Sequence, residues 1–227
     1  MIPQKQVGYY QLSLKQNYKM PQSITDKSTA ELIKEALPKA VSYTDYRAMV
    51  SRLASEGRAT GPKQTEALAN YTLLNDRRMK RFDKTVKLDP ESMDLIKGYD
   101  RRISLLVLTE SWCGDAAPSL PVMNKIAELS ANIDLKIVLR DENLELMDRF
   151  LTRGAMSIPK LIVCDRDSLE VLAEWGPRPE PAAKMVARHK EEHGKILPEL
   201  KEELQQWYNK DKGKTILKEL LACLPLE

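Results

Sequence analysis

The feature that most limits the fold is a short run, Ile103-Ser104-Leu105-Leu106-Val107-Leu108, apolar at every position but one. A strand with one wet face alternates apolar and polar residues, and this run does not alternate. It therefore belongs inside a sheet covered on both faces, and helices must supply the cover. The following sequence carries them. Residues 116–129 read as a helix with Leu120, Met123, Ile126, Ala127 and Leu129 facing inward, 133–139 as a strand, 144–151 as a helix and 160–164 as a strand. A turn at 165–168 leads to a strand at 169–175, and 181–193 closes the series as a helix. The order β-α-β-α-β-β-α opens with a parallel crossover and ends with a hairpin before its last helix, an α/β architecture around a mixed central sheet.

The first hundred residues read as helical. Ser28 and Glu31 form a capping box ahead of Leu32, Ile33, Ala36 and Leu37, and Pro38 stops that helix. A second helix begins near Thr44 and carries Tyr46, Met49, Val50 and Leu53 at helical spacing, before a break at 57–62. A longer one is expected over 63–86, with Leu68, Tyr71, Leu74, Phe82 and Val86 on one side. Asp89-Pro90 starts a short helix that Gly98 ends. The tail carries helices near 198–209 and 214–223. The expected division is a helical extension at 1–100, an α/β domain at 101–193 and a helical tail at 194–227.

Chemistry concentrates at Glu110-Ser111-Trp112-Cys113-Gly114-Asp115-Ala116, where the buried strand turns into a helix. This segment resembles the active-site turn of the thioredoxin superfamily, Trp-Cys-Gly-Pro-Cys, with Cys113 on the first cysteine and Trp112 on the tryptophan. Pro121 matches the proline that kinks the following helix. Ile158-Pro159, 46 residues after Cys113, matches the cis-proline that faces the cysteine, and Gly176 matches another family glycine. The resemblance covers about 90 residues and implies a thioredoxin-like fold with Cys113 at the exposed end of its strand. Trp112, Gly114, Asp115, Ala116, Ile158 and Pro159 would then form the substrate surface, Ile158 pairing with an extended peptide. A cysteine at a helix N-terminus lies beside free N–H groups and the positive end of the helix dipole, which lower a thiol pKa from about 8.5 into roughly 3.5–7.5.

Three departures oppose ordinary two-cysteine chemistry. Ala116 replaces the resolving cysteine, and Asp115 sets a carboxylate near the sulfur unless it bonds the N–H groups of its own helix. Val107 replaces the family's buried aspartate. What remains open is a monothiol thiol-disulfide oxidoreductase, with Cys113 resolved by an external thiol, or a redox-inactive module that binds a protein or peptide. Monothiol glutaredoxins are the family analogy, without their Cys-Gly-Phe-Ser motif. The substrate would be a protein or low-molecular-weight thiol or disulfide.

Other features read as structural. Cys164 is expected in the core and Cys223 in the tail, both poorly sited to resolve Cys113. His189 and His193 match an inverted zinc-peptidase pattern on a helix face but lack a third ligand, so no metal and no cofactor is expected. Arg77, Arg78, Lys80, Arg81 and Lys84 read as a solvated helix face. Trp112 and Trp175 are expected to border the cysteine, and Trp207 and Tyr208 to pack the tail helix. Thirty-six basic against 33 acidic residues give a net charge of +3, too balanced to suggest nucleic-acid binding. No apolar run is long enough to span a membrane. Met1-Ile2-Pro3-Gln4-Lys5-Gln6 lacks a signal's apolar stretch, and the three scattered cysteines suit a reducing cytoplasm.

Overall fold

The apolar run forms β1 (Ile103–Thr109), buried at every position. In this computed structural model, which describes residues 27–225, β1 pairs in parallel with β2 (Ile133–Leu139) and antiparallel with β3 (Lys160–Asp165). β4 (Val171–Trp175) adds antiparallel to β3, and the sheet order is β2-β1-β3-β4. The reading of the first six residues lies outside the described residues.

The helices expected from the sequence cover this sheet. α1 (Thr29–Ala36) carries the capping box: Glu31 N–H donates to Ser28 Oγ at 3.3 Å, and Ser28 N–H to Glu31 Oε2 at 2.7 Å. α2 (Tyr43–Ser55) is capped by Ser42, α3 (Glu66–Thr85) by Thr65, and α4 (Pro90–Lys97) lies between Asp89 and Gly98. α5 (Ala116–Ala127) makes the crossover from β1 to β2, with Pro121 inside it. α6 (Leu144–Asp148) is shorter than the sequence suggested. The chain instead turns back at Arg153 and Gly154, both at positive φ, with Thr152 and Ala155 exchanging backbone hydrogen bonds. β4 likewise starts two residues late, because Leu169 has left-handed geometry and Asp165 accepts the N–H groups of Asp167 and Ser168. α7 (Glu180–His193) ends at Gly194, and α8 (Pro198–Asp211) and α9 (Lys214–Ala222) follow.

One apolar cluster runs from Leu32 to Leu224, so the flanking helices share the core of the sheet. Just before α2, Val41 exchanges two backbone hydrogen bonds with Ile137, at 2.9 and 3.0 Å, on the outer edge of β2. At the other end, Glu219 on α9 accepts from Trp175 Nε1 and from the N–H of Glu180, both at 2.7 Å. That carboxylate binds the sheet's last strand and also the positive end of α7.

α3 departs from the expected pattern. Its buried residues are Thr72, Asn75, Asp76, Met79 and Phe82, while Leu74 is exposed and Leu68 and Tyr71 are half-buried. The N-terminal half of this helix rests on a polar turn rather than on the apolar core, so a search for apolar spacing selects the wrong face.

Gly176 makes the closest backbone approach. It has φ +118°, and a Cβ there would lie 2.2 Å from the carbonyl oxygen of Pro159. Gly176→Ala should cost about 2 kcal/mol or more, since neither backbone can yield. Gly194→Ala, where φ is +70° and nothing lies within 4 Å, should cost only the left-handed penalty of about 1–2 kcal/mol. Urea unfolding of both variants checks the difference, and equal losses would mean the approach to Pro159 is not limiting.

Candidate functional site

The turn between β1 and α5 is held from outside itself. Ser111 is buried, and its hydroxyl meets Thr60 N–H at 2.9 Å and Thr72 Oγ1 at 2.8 Å. Its own N–H donates to Thr60 Oγ1 at 2.8 Å, and its carbonyl accepts from Asn75 Nδ2 at 3.0 Å. The polar face of α3 is thus a mount for the turn. Trp112 is steadied differently: the Arg140 guanidinium lies 5.0 Å from its ring centroid, paired with Asp141 at 2.7 Å and donating to Met156 O at 3.3 Å.

Cys113 follows, its N–H bonded to Glu110 O at 3.0 Å. Its thiol donates to Ile158 O at 3.2 Å, and the Ile158–Pro159 peptide is cis, so the two motifs read from the sequence do meet. Gly176–Pro177 is also cis. Arg178, between Pro177 and Pro179 with their fixed φ, extends to Asp115 at 2.7 Å. Tyr208 on α8 donates to the other Asp115 oxygen at 2.9 Å. Asp115 therefore does not cap its own helix, as the sequence had allowed, because Arg178 and Tyr208 take its oxygens.

Two expectations for the sulfur are corrected. Cys113 is 6% exposed rather than at an open strand end, because α8 lies over the turn. Its pKa is pushed up to about 12, by burial first and by the Asp115 carboxylate second. The N–H groups of Ala116 and Asp115 and the charge of Arg178 pull the other way and lose. Burial also raises the Asp115 carboxyl against the pull of Arg178.

Cys113 nevertheless lines a cavity of about 350 Å3 together with Trp112, Gly114, Asp115 and Ile158. That size is at the low end of ligand sites. Its other walls come from α3 through Leu68, Tyr71 and Arg78, from Arg178, and from Ile196 and α8 through Lys201, Leu204, Gln205 and Tyr208. Ala116 is buried and does not line it. Of the basic run on α3, Arg77, Lys80, Arg81 and Lys84 are exposed as expected, while Arg78 turns inward with a Nη1 atom 3.5 Å from where a Gly114 Cβ would stand. Arg78, Arg178, Lys201 and Tyr208 were not selected from the sequence as site residues. The one local signal was Arg178 between two prolines after the family glycine.

The remaining candidates lie apart. Cys164 is buried, its thiol facing Ser104 O at 3.7 Å, four residues along β3 from Lys160 and so about 13 Å from the Cys113 end of the sheet. Cys223 faces Glu174 O at 3.9 Å, and Trp175 binds Glu219 and is not in the cavity wall. His189 accepts Leu197 N–H at 3.3 Å, and among the described residues no group of three His, Cys, Asp or Glu side chains is arranged to hold a metal ion. Val107 is fully buried, but a buried acid does stand three residues on. Glu110 accepts Asp141 N–H at 2.9 Å with one oxygen, and burial raises its pKa. Among the described residues no helix is long and apolar enough to cross a membrane.

A family model described as Thioredoxin matches residues 61–193, more than half of the chain. A crystal structure of a protein of unknown function from Pseudomonas aeruginosa superposes with a TM-score of 0.52 at 19% identity, covering 81% of this chain and 96% of that one. An HIV epitope-scaffold gives a TM-score of 0.51 at 18% identity, covering 81% and 97%. No curated protein matches.

Alkylation of Cys113 by iodoacetamide should rise with pH toward a midpoint of about 12. Asp115→Asn removes a charge that opposes the thiolate and leaves Arg178, so its midpoint should fall and its rate at mildly alkaline pH rise at least about ten-fold. An unchanged midpoint would clear Asp115 of this effect. The folded thiol keeps its proton from the ordinary 9.0 up to about 12, so stability from this group is full below the former and is lost toward the latter.

Proposed function

The chain belongs to the thioredoxin family, and from that premise we propose that it is a monothiol thiol-disulfide oxidoreductase acting through Cys113. The observation that carries the reading is the thiol 3.2 Å from Ile158 O, beside the cis Pro159, in the wall of a cavity a small molecule can enter. Trp112, Gly114, Asp115 and Ile158 bound that space, while Ala116 and Pro159 are buried and do not line it.

Cys113 sulfur attacks one sulfur of a disulfide R–S–S–R, a Cys113–S–S–R bond forms, and the old disulfide bond breaks. The departing R–S⁻ takes the proton that Cys113 gave up and leaves as R–SH. An external thiol R′–SH then attacks the R-side sulfur, an R′–S–S–R bond forms as the Cys113–sulfur bond breaks, and the proton of R′–SH passes to the departing Cys113 sulfur. With no second thiol beside Cys113 among the described residues, the external thiol is required.

Burial holds the Cys113 thiol in its protonated form at neutral pH, so exchange is slow there and quickens as pH rises. Tyr208, Leu204 and Lys201 of α8 stand over the turn, which favours low-molecular-weight disulfides over disulfides in folded proteins. The same thiol pKa favours a second reading, a redox-inactive module that binds its ligand in this cavity with Cys113 as a neutral hydrogen-bond donor.

Intact mass measurement separates the two. The monothiol reading expects one mixed-disulfide adduct after incubation with bis(hydroxyethyl) disulfide at alkaline pH. The adduct should persist until an external thiol is added, vanish in Cys113→Ser and survive in Cys164→Ser and Cys223→Ser. No adduct on native protein, with ligand binding retained in Cys113→Ser, would hand the case to the binding module.

A further inference from the structure

The cavity beside Cys113 has an unbalanced charge. Among the described residues Asp115 is its one acidic wall residue, and Arg178 already pairs with it at 2.7 Å. Two further cations, Arg78 and Lys201, have no carboxylate within 4.0 Å among the described residues. Arg78 Nη1 donates to Asn75 Oδ1 at 3.3 Å, and Lys201 Nζ donates to Tyr71 Oη at 2.6 Å and lies 5.2 Å from that ring's centroid. Both also line an adjoining cavity, where Glu202 is the one acid among the described residues.

Arg78 is the informative residue. It is mostly withdrawn from water, and burial depresses its pKa. Among the described residues its side-chain hydrogen bond goes to an amide, and the one carboxylate that attracts it, Asp115, is already paired with Arg178, so an incoming anion would offset the cost of burying this guanidinium. Its neighbours explain why it stays: it stands over Gly114, next to the reactive turn, and Lys201 reaches the same wall from the opposite helix. Leu68, Ile196, Leu204 and the ring of Trp112 supply apolar surface around these charges.

We propose that the site takes a low-molecular-weight disulfide or thiol bearing a carboxylate, with the acid bound by Arg78 and Lys201 while its sulfur meets Cys113. This substrate class rests on the monothiol reading, whereas the anion site itself stands on the charge arrangement alone. Arg78 offers a planar pair of donors to a carboxylate, and Lys201 adds a point charge that its flexible stem can swing in. The substrate's body is short, because the guanidinium lies beside the residue that follows Cys113.

Three small disulfides of similar size test the charge: dithiodipropionate (acidic), bis(hydroxyethyl) disulfide (neutral) and cystamine (basic). On the full chain, the rate of adduct formation at Cys113 should follow that order, the acid ahead of the neutral probe by about ten-fold at low salt. The advantage should shrink as ionic strength rises. It should be lost in Arg78→Gln, reduced in Lys201→Gln and largely kept in Arg78→Lys, read as the acid-to-neutral ratio within each variant. Equal rates for the three probes in native protein would overturn the proposal. If no probe forms an adduct, the monothiol reading fails, and the anion site is decided by methylthiopropionate, a thioether acid that cannot exchange. Saturable shifts of the Trp112 indole signal, lost in Arg78→Gln, uphold the anion site, and their absence in native protein overturns it.

Discussion

Ser111 is buried with its amide, carbonyl and hydroxyl each bound by residues that precede the sheet: Thr60, Thr72 and Asn75. The backbone position of the sulfur is referred to this knot, since Trp112 and Cys113 follow it directly in the chain. A turn between a strand and a helix has many backbone shapes of similar energy, and these hydrogen bonds select one. Buried polar groups of this kind cost about 1–3 kcal/mol each when a partner is removed, so the network is kept whole or not at all. The helices ahead of the sheet are therefore part of the site's foundation, and the family match begins at residue 61, ahead of α3.

The second determinant is what lies above the turn. Tyr208 and Arg178 hold Asp115 in place, and α8 closes the side that α3 leaves open. Closing it removes water from the sulfur, and loss of water outweighs the helix N–H groups that would otherwise favour a thiolate. The family motif alone suggests an activated cysteine. The enclosure around it yields a protonated one.

Legibility in the sequence followed distance along the chain. The unbroken apolar run at 103–108 announced a doubly covered strand, Ser28 with Glu31 announced a helix start, and Trp112-Cys113 with Ile158-Pro159 announced two loops that meet. Each of those signals is local or has a known spacing. Asp115 and Tyr208 are 93 residues apart, and Lys201 and Tyr71 130, so no pattern joins them before the chain is folded. Arg78 was hidden among four exposed basic neighbours, where charge alone does not say which side chain turns inward. The polar face of α3 was missed for the opposite reason: Thr72 and Asn75 are buried against polar atoms, and apolar periodicity is blind to that.

The bridge between Val41 and Ile137 has a bearing on how the molecule behaves in company. β2 is an outermost strand, and a bare outermost strand invites a second sheet to continue it through the row of unused amide and carbonyl groups. Val41 takes the middle of that row from within the same chain, and an Asp134–Lys136 pair holds charge along the flank. A neighbouring copy attempting to extend the ladder would first have to prise away the segment leading into α2. The β2 edge thus carries its own stopper against edge-to-edge pairing of sheets, at the expense of a single pair of hydrogen bonds.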